Sequence, residues 1–159
     1  MQTLSPGKIR ALQTTATPDG IFTILAIDHR DSLRVLLNPQ NPGAVPAAIL
    51  TSLKLDIIKH VAPQASAVMV DPVYSAAQAI VTATLPGSVG FLCAVEAQGY
   101  LDNPHRKQNT LLPGWSVAKA KRLGAGGIKL LVLYHPDAGE VTARQDDLVQ
   151  AVITDCARA

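Results

Sequence analysis

Of the 159 residues, 48% are hydrophobic and only 16% charged, with a formal net charge of +2, against a charged share of about 25% in ordinary soluble domains. That is enough chain for one domain with one sizeable core, and the apolar excess suits a parallel sheet better than a two-faced antiparallel one. Aromatics at 4% and the absence of a basic stripe set nucleic-acid binding aside, and no run approaches the roughly 18 apolar residues of a membrane span.

Ser5-Pro6 reads as an N-cap and first-turn proline, opening a leading helix that runs to about Leu12. Nothing in MQTLSPGKIR resembles the apolar core of a signal peptide, so a cytoplasmic protein is expected. After the turn Thr17-Pro18-Asp19-Gly20, the β-branched run Ile21 to Ile27 predicts a buried strand ending at Asp28-His29-Arg30. A short helix follows from Asp31 to Leu37. Pro46 opens the clearest helix, with Ile49, Leu50, Leu53, Ile57, Ile58 and Val61 as one apolar stripe and Pro63 as its stop.

Ser66 to Val70 predicts a second strand ending at Asp71, and Ser75 to Thr84 a small-residue helix. Gly90 to Val95 predicts a third strand ending at Glu96. A long loop, Ala97 to Gly114, contains the basic cluster His105-Arg106-Lys107, which reads as solvated surface. A helix from Ser116 to Leu123 and the turn Gly126-Gly127 lead into a fourth strand, Ile128 to Leu133. A last helix is expected to be capped by Thr142, with Leu148, Val149, Val152, Ile153 and Cys156 on one face.

Four consecutive strand–helix units predict a parallel sheet with right-handed crossovers. Ligands of such folds sit at the carboxyl ends of the strands, where Asp28, His29, Arg30, Asp71 and Glu96 all fall. Each acid alone could equally be a helix cap or a solvated loop residue. Lys129 is the more unusual placement, a lysine inside the apolar run GIKLLVLYH. Burial would lower its pKa and make it a nucleophile or Schiff-base former; the competing reading is a strand-end lysine that reaches water along its stem. No GxGxxG, GxxxxGK[ST], HExxH, GxSxG or CxxC pattern occurs. Cys93 and Cys156 lack metal-ligand spacing and read as buried core residues of a reduced protein, so neither metal nor cofactor is expected.

The segments LAIDHRDSLR, LTSLKLDIIKHVAPQASAVMVDP and WSVAKAKRLGAGGIKLLVLYHPD resemble, in the same order, the class I tagatose 1,6-bisphosphate aldolases and the related aldolases that cleave 6-deoxy-6-sulfofructose 1-phosphate. The resemblance implies a (β/α)8 TIM barrel and retro-aldol cleavage of a phosphorylated ketose to dihydroxyacetone phosphate and an aldehyde, through a lysine iminium. It implies that Asp28 handles protons around the Schiff base and that Lys129 stands beside the Schiff-base lysine and depresses its pKa. Arg30 matches the family's adjacent arginine, and Glu96 an acid after the third strand. His29 stands where the family usually has glutamine, so the substrate contact there is altered. Asp71 is carried as a further substrate-binding candidate on its strand-end position.

A TIM barrel takes about 250 residues, and these 159 supply four units. The sixth-strand Schiff-base lysine and the late phosphate loops implied by the resemblance have no counterpart here. The expectation is therefore an N-terminal half barrel, a single domain over residues 1–159, that is inactive alone. It would pair with a second copy or with a C-terminal half. The alternative is a non-catalytic half barrel that serves only in assembly.

Overall fold

The computed structural model describes residues 3–97 and 108–159. The cluster His105-Arg106-Lys107 lies outside them. The elements run α1 (Pro6–Thr15), β1 (Ile24–Ala26), α2 (Asp31–Leu37), α3 (Ala47–Val61), β2 (Ala67–Val70), α4 (Ala76–Val81), β3 (Gly90–Ala94), α5 (Val117–Leu123), β4 (Gly127–Lys129) and α6 (Glu140–Arg158). The strands form one parallel sheet in the order β1-β2-β3-β4. The fold is α/β, of the TIM-barrel type, with four strand–helix units.

Register divides the sheet into two faces. Leu25, Val68 and Phe91 align, as do Val70, Cys93 and Ile128. These side chains pack with Ile58, Ala76, Ala79 and Ala120 from the helices into the main core. The opposite face carries Ala26, Met69, Leu92 and Gly127 at one level, and Ala26 is exposed there. Among the described residues, then, helices cover one face of the sheet, whereas both faces of a parallel sheet are normally covered.

All four strands are shorter than the sequence predicts, β2 and β3 by one residue each and β1 and β4 by several, and in the latter two the backbone is engaged elsewhere. Ile21 belongs to the turn before β1: its carbonyl accepts from Thr17 N and its N–H donates to Thr17 Oγ1. Ile21 and Phe22 are accordingly more than half exposed. Past Lys129 the β4 backbone leaves the ladder because side chains take its N–H groups, Leu131 N donating to Glu96 Oε2 and Leu133 N to Asn109 Oδ1.

Helix α1 runs to Thr15, one turn beyond expectation, with Ser5 Oγ accepting from Lys8 N at its start. It lies across the amino ends of the strands: Ser66 Oγ donates to Thr15 O at 2.8 Å, and Gly90 and Gly126 abut Thr14 and Thr15. The last helix begins at Glu140 after Gly139, whose φ is 56°. Thr142 is not its cap; its hydroxyl donates to His135 O at 2.5 Å. Of the face expected to be buried, Val152 is buried, Cys156 is half-buried and Ile153 is 54% exposed. Among the described residues no helix is long and apolar enough to cross a membrane.

A Cβ on Gly90 would fall inside the backbone carbonyl of Thr14, whereas one on Gly87 would meet nothing within 4 Å. Gly90→Ala is expected to cost about 1–3 kcal/mol, the usual cost of overpacking, and Gly87→Ala close to nothing. Urea unfolding of the two variants side by side checks this.

Candidate functional site at the carboxyl ends of the strands

Three spacings of about 4.8 Å would put β1 and β4 about 14 Å apart in a flat sheet. Yet Lys129 Nζ on β4 lies 2.7 Å from Asp28 Oδ2, just past β1, and 2.5 Å from Glu96 Oε1, just past β3. The sheet must curl for these groups to meet, as barrel strands do. Glu96 is fully buried, Asp28 nearly so, and the Lys129 side chain is 17% exposed. The trio can therefore be approached from one side.

Glu96 and the chain beyond Lys129 are held from behind. Glu96 follows β3 into an antiparallel bridge with Leu111, where Ala97 N donates to Thr110 O and Leu112 N to Val95 O, both at 2.8 Å. Arg30 is buried, and its Nη2 donates to the Glu96 carbonyl at 2.5 Å. Beyond β4, Gln145 on α6 donates from Nε2 to Asn109 Oδ1 at 2.6 Å and to Leu133 O at 2.9 Å. Its own carbonyl accepts from Asn109 N.

Burial alone would pull the Lys129 pKa down. The hydrogen bonds and charges of Asp28 and Glu96 together outweigh that, and the amine titrates above the usual lysine value. Of the two readings of Lys129, this direction fits the charged neighbour of a Schiff-base lysine and not the depressed nucleophile, since a lysine between two carboxylates is held as a cation. Of the other residues singled out in the sequence, His29 is exposed beside Asp28 and stands outside the trio.

Asp71 requires correction. Its carboxylate is fully buried and engaged on both oxygens: Oδ1 accepts from Val73 N and Tyr74 N at 2.8 and 2.7 Å, and Oδ2 from Ser75 Oγ at 2.8 Å and Lys54 Nζ at 2.5 Å. It presents nothing to a ligand. Its partner Lys54 sits mid-helix in the stripe expected to be apolar. The buried positions of α3 are Leu50, Lys54 and Ile58, four residues apart, while Ile49 and Val61 are 51% and 43% exposed. Desolvation lowers the Lys54 pKa, with the charge and hydrogen bond of Asp71 opposing it. Burial likewise pushes the Cys93 thiol up to about 12, so it is no nucleophile.

Among the described residues no three His, Cys, Asp or Glu side chains are grouped to hold a metal. The cleft between α1, α5 and α6, lined by Lys8, Lys121 and Cys156, shares no residue with the trio.

The sequence model of the DeoC/LacD family of aldolases matches residues 22–159. Tagatose 1,6-diphosphate aldolase 2 of Enterococcus faecalis is 32% identical over 158 residues, covering 99% of this chain and 46% of its own length. The Streptococcus mutans protein of the same name is 28% identical, covering 96% of this chain and 46% of its own length. A solved Schiff-base-forming fructose-1,6-bisphosphate aldolase superposes with a TM-score of 0.55 at 17% identity, over 95% of this chain and 53% of that one. The chain spans about half the length of the relatives it matches.

Lys54→Ala would strand the Asp71 carboxylate in the core, at an expected cost of about 3–5 kcal/mol. Arg144→Ala, which breaks a 3.5 Å pair with Glu140 between two exposed side chains, should cost less than about 1 kcal/mol. Denaturant melts distinguish the two. For Lys129, a folded-state pKa above the ordinary 10.5 means that its stabilisation is complete below that pH and is lost as pH rises through the folded value. The stability gap between the parent and Lys129→Met should hold constant up to that pH and narrow above it in urea melts across the alkaline range.

Proposed function

This chain belongs to the DeoC/LacD family of aldolases, and on that footing we propose that it supplies the first four units of a class I aldolase acting on a phosphorylated ketose of the tagatose or fructose 1,6-bisphosphate kind. The observation that carries the reading is the trio Asp28–Lys129–Glu96 at the carboxyl ends of three strands, where α/β barrels do their chemistry.

In the proposed reaction a lysine amine condenses with the ketose carbonyl and releases water. The iminium then draws in the electron pair of the breaking carbon–carbon bond as the neighbouring hydroxyl gives up its proton. This route needs no metal. Lys129 serves as the fixed cation beside the attacking amine, since a like charge nearby lowers that amine's pKa and keeps it neutral enough to attack. Asp28 handles the proton. Glu96, held by Arg30 at its carbonyl, fixes Lys129 from the other side, and the role proposed for His29, exposed beside Asp28, is contact with the substrate's polar groups.

The attacking amine is assigned to no lysine described here near the trio, because Lys129 is held cationic and Lys54 is sealed in the core. The reading places it in the remainder of a full barrel, on a longer polypeptide or a partner chain. A second reading, an assembly module without turnover of its own, draws its support from the partly open inner face at Ala26.

Borohydride reduction in the presence of dihydroxyacetone phosphate, followed by peptide mass mapping, tests the assignment. The adduct is expected on a lysine outside residues 1–159. An adduct on Lys129 would reverse its role, and no adduct in an assembled, folded sample would favour the assembly module. In the active assembly, Lys129→Met should lower kcat by about 10²–10³ and Asp28→Asn by about 10²–10⁴.

A further inference from the structure

Lys54 Nζ has two partners, and they belong to different strands. One is Asp71 Oδ2 at the end of β2, at 2.5 Å; the other is the carbonyl of Ile27, at 2.8 Å. Ile27 is the residue before Asp28, so its carbonyl belongs to the peptide group that leads into the trio. Asp71 is itself immobilised by Ser75 Oγ and by the N–H groups of Val73 and Tyr74. The ammonium, carboxylate and carbonyl thus form a closed, solvent-inaccessible clamp between the ends of β1 and β2.

A buried ion pair contributes little net stability over an apolar pair of the same volume. The residues one turn either side on α3, Leu50 and Ile58, are buried apolar side chains. The Ile27 N–H is held by Met69 O in the ladder; what the pair adds, and a leucine would not, is a donor to the Ile27 carbonyl. We infer that Lys54 is a positioning residue, which through Asp71 holds the Ile27–Asp28 peptide and thereby keeps the Asp28 carboxylate against Lys129. The inference deepens the aldolase reading and rests on it for its chemical meaning.

Lys129 itself reports on the clamp. The charged groups facing it are Asp28 from the end of β1 and Glu96 from the end of β3, with Arg30 bound to the Glu96 carbonyl behind. The hydrogen bonds and charges of these two carboxylates are what raise its titration midpoint against the opposing effect of burial, and drawing Asp28 away weakens one of them.

The test is an NMR titration of the Lys129 13Cε and 15Nζ signals, assigned by their loss in Lys129→Met. The key variant is Lys54→Met with Asp71→Asn, which removes the clamp and leaves no buried lone charge. Its folding is checked by circular dichroism. In the folded double variant the Lys129 midpoint is expected to fall from the parent's toward 10.5. A midpoint unchanged from the parent would reduce Lys54 to a core residue and overturn the inference. If the double variant does not fold, Lys54→Leu with Asp71→Asn, which likewise leaves no lone charge and no donor to the Ile27 carbonyl, decides by the same criterion. No turnover is read, so a failed imine trap leaves this result standing, and an unchanged midpoint leaves the aldolase reading intact.

Discussion

The contact between Lys129 and its two carboxylates sets the shape of everything around it. A neutral amine there would lose its hydrogen bonds and charge contacts to both carboxylates in a mostly buried place, so the proton stays on the lysine. To bring the three groups together from strands that a flat sheet would hold apart, the sheet must bend. Once bent, it has an outside that large aliphatic side chains can fill against helices, and an inside where polar ends converge. The same Glu96 that holds the ammonium also accepts from Leu131 N, which is why β4 stops at Lys129. One constellation thus sets both the curvature and the length of a strand.

Beneath this trio lies a second polar layer, and its members are satisfied by one another. Lys54, Asp71 and Ser75 close off the β1 and β2 ends; Asn109 and Gln145 do the same beside β4. Fully connected buried networks define one geometry and penalise all others, since each lost partner leaves a polar group unpaired in a low dielectric. The carboxyl ends of the strands are therefore the stiffly specified part of the molecule, while the helical shell relies on non-directional packing.

Much of this was legible in the order of the residues. The four-unit parallel pattern follows from apolar runs separated by helical stripes, and α2 falls on the predicted residues, Asp31 to Leu37. The proline before α3 and the serine before α5 mark their starts as helix-terminus chemistry says they should. Asp28 and Glu96 share a level at strand ends that the sequence shows, whereas Lys129 falls near the start of the strand predicted over Ile128 to Leu133 and joins them only through the family resemblance. Other features could not. Reading α3 by hydrophobic identity passes over Lys54, because its burial depends on an acid 17 residues away in the next strand. The role of Asp71 was misjudged for the same reason: a strand-end carboxylate looks alike whether it faces a ligand or a lysine. Strand lengths failed where side chains such as Glu96 and Asn109 took over ladder positions, a long-range competition that local periodicity does not register.

Helix α1 has a consequence for traffic. It lies against the starts of β2 and β3 and the turn before β4, so close at Gly90 that a Cβ there would overlap the Thr14 carbonyl. Among the described residues the base of the sheet is thus stoppered by a helix. A small molecule meets Lys129 from the strand ends or across the uncovered face, and not from below.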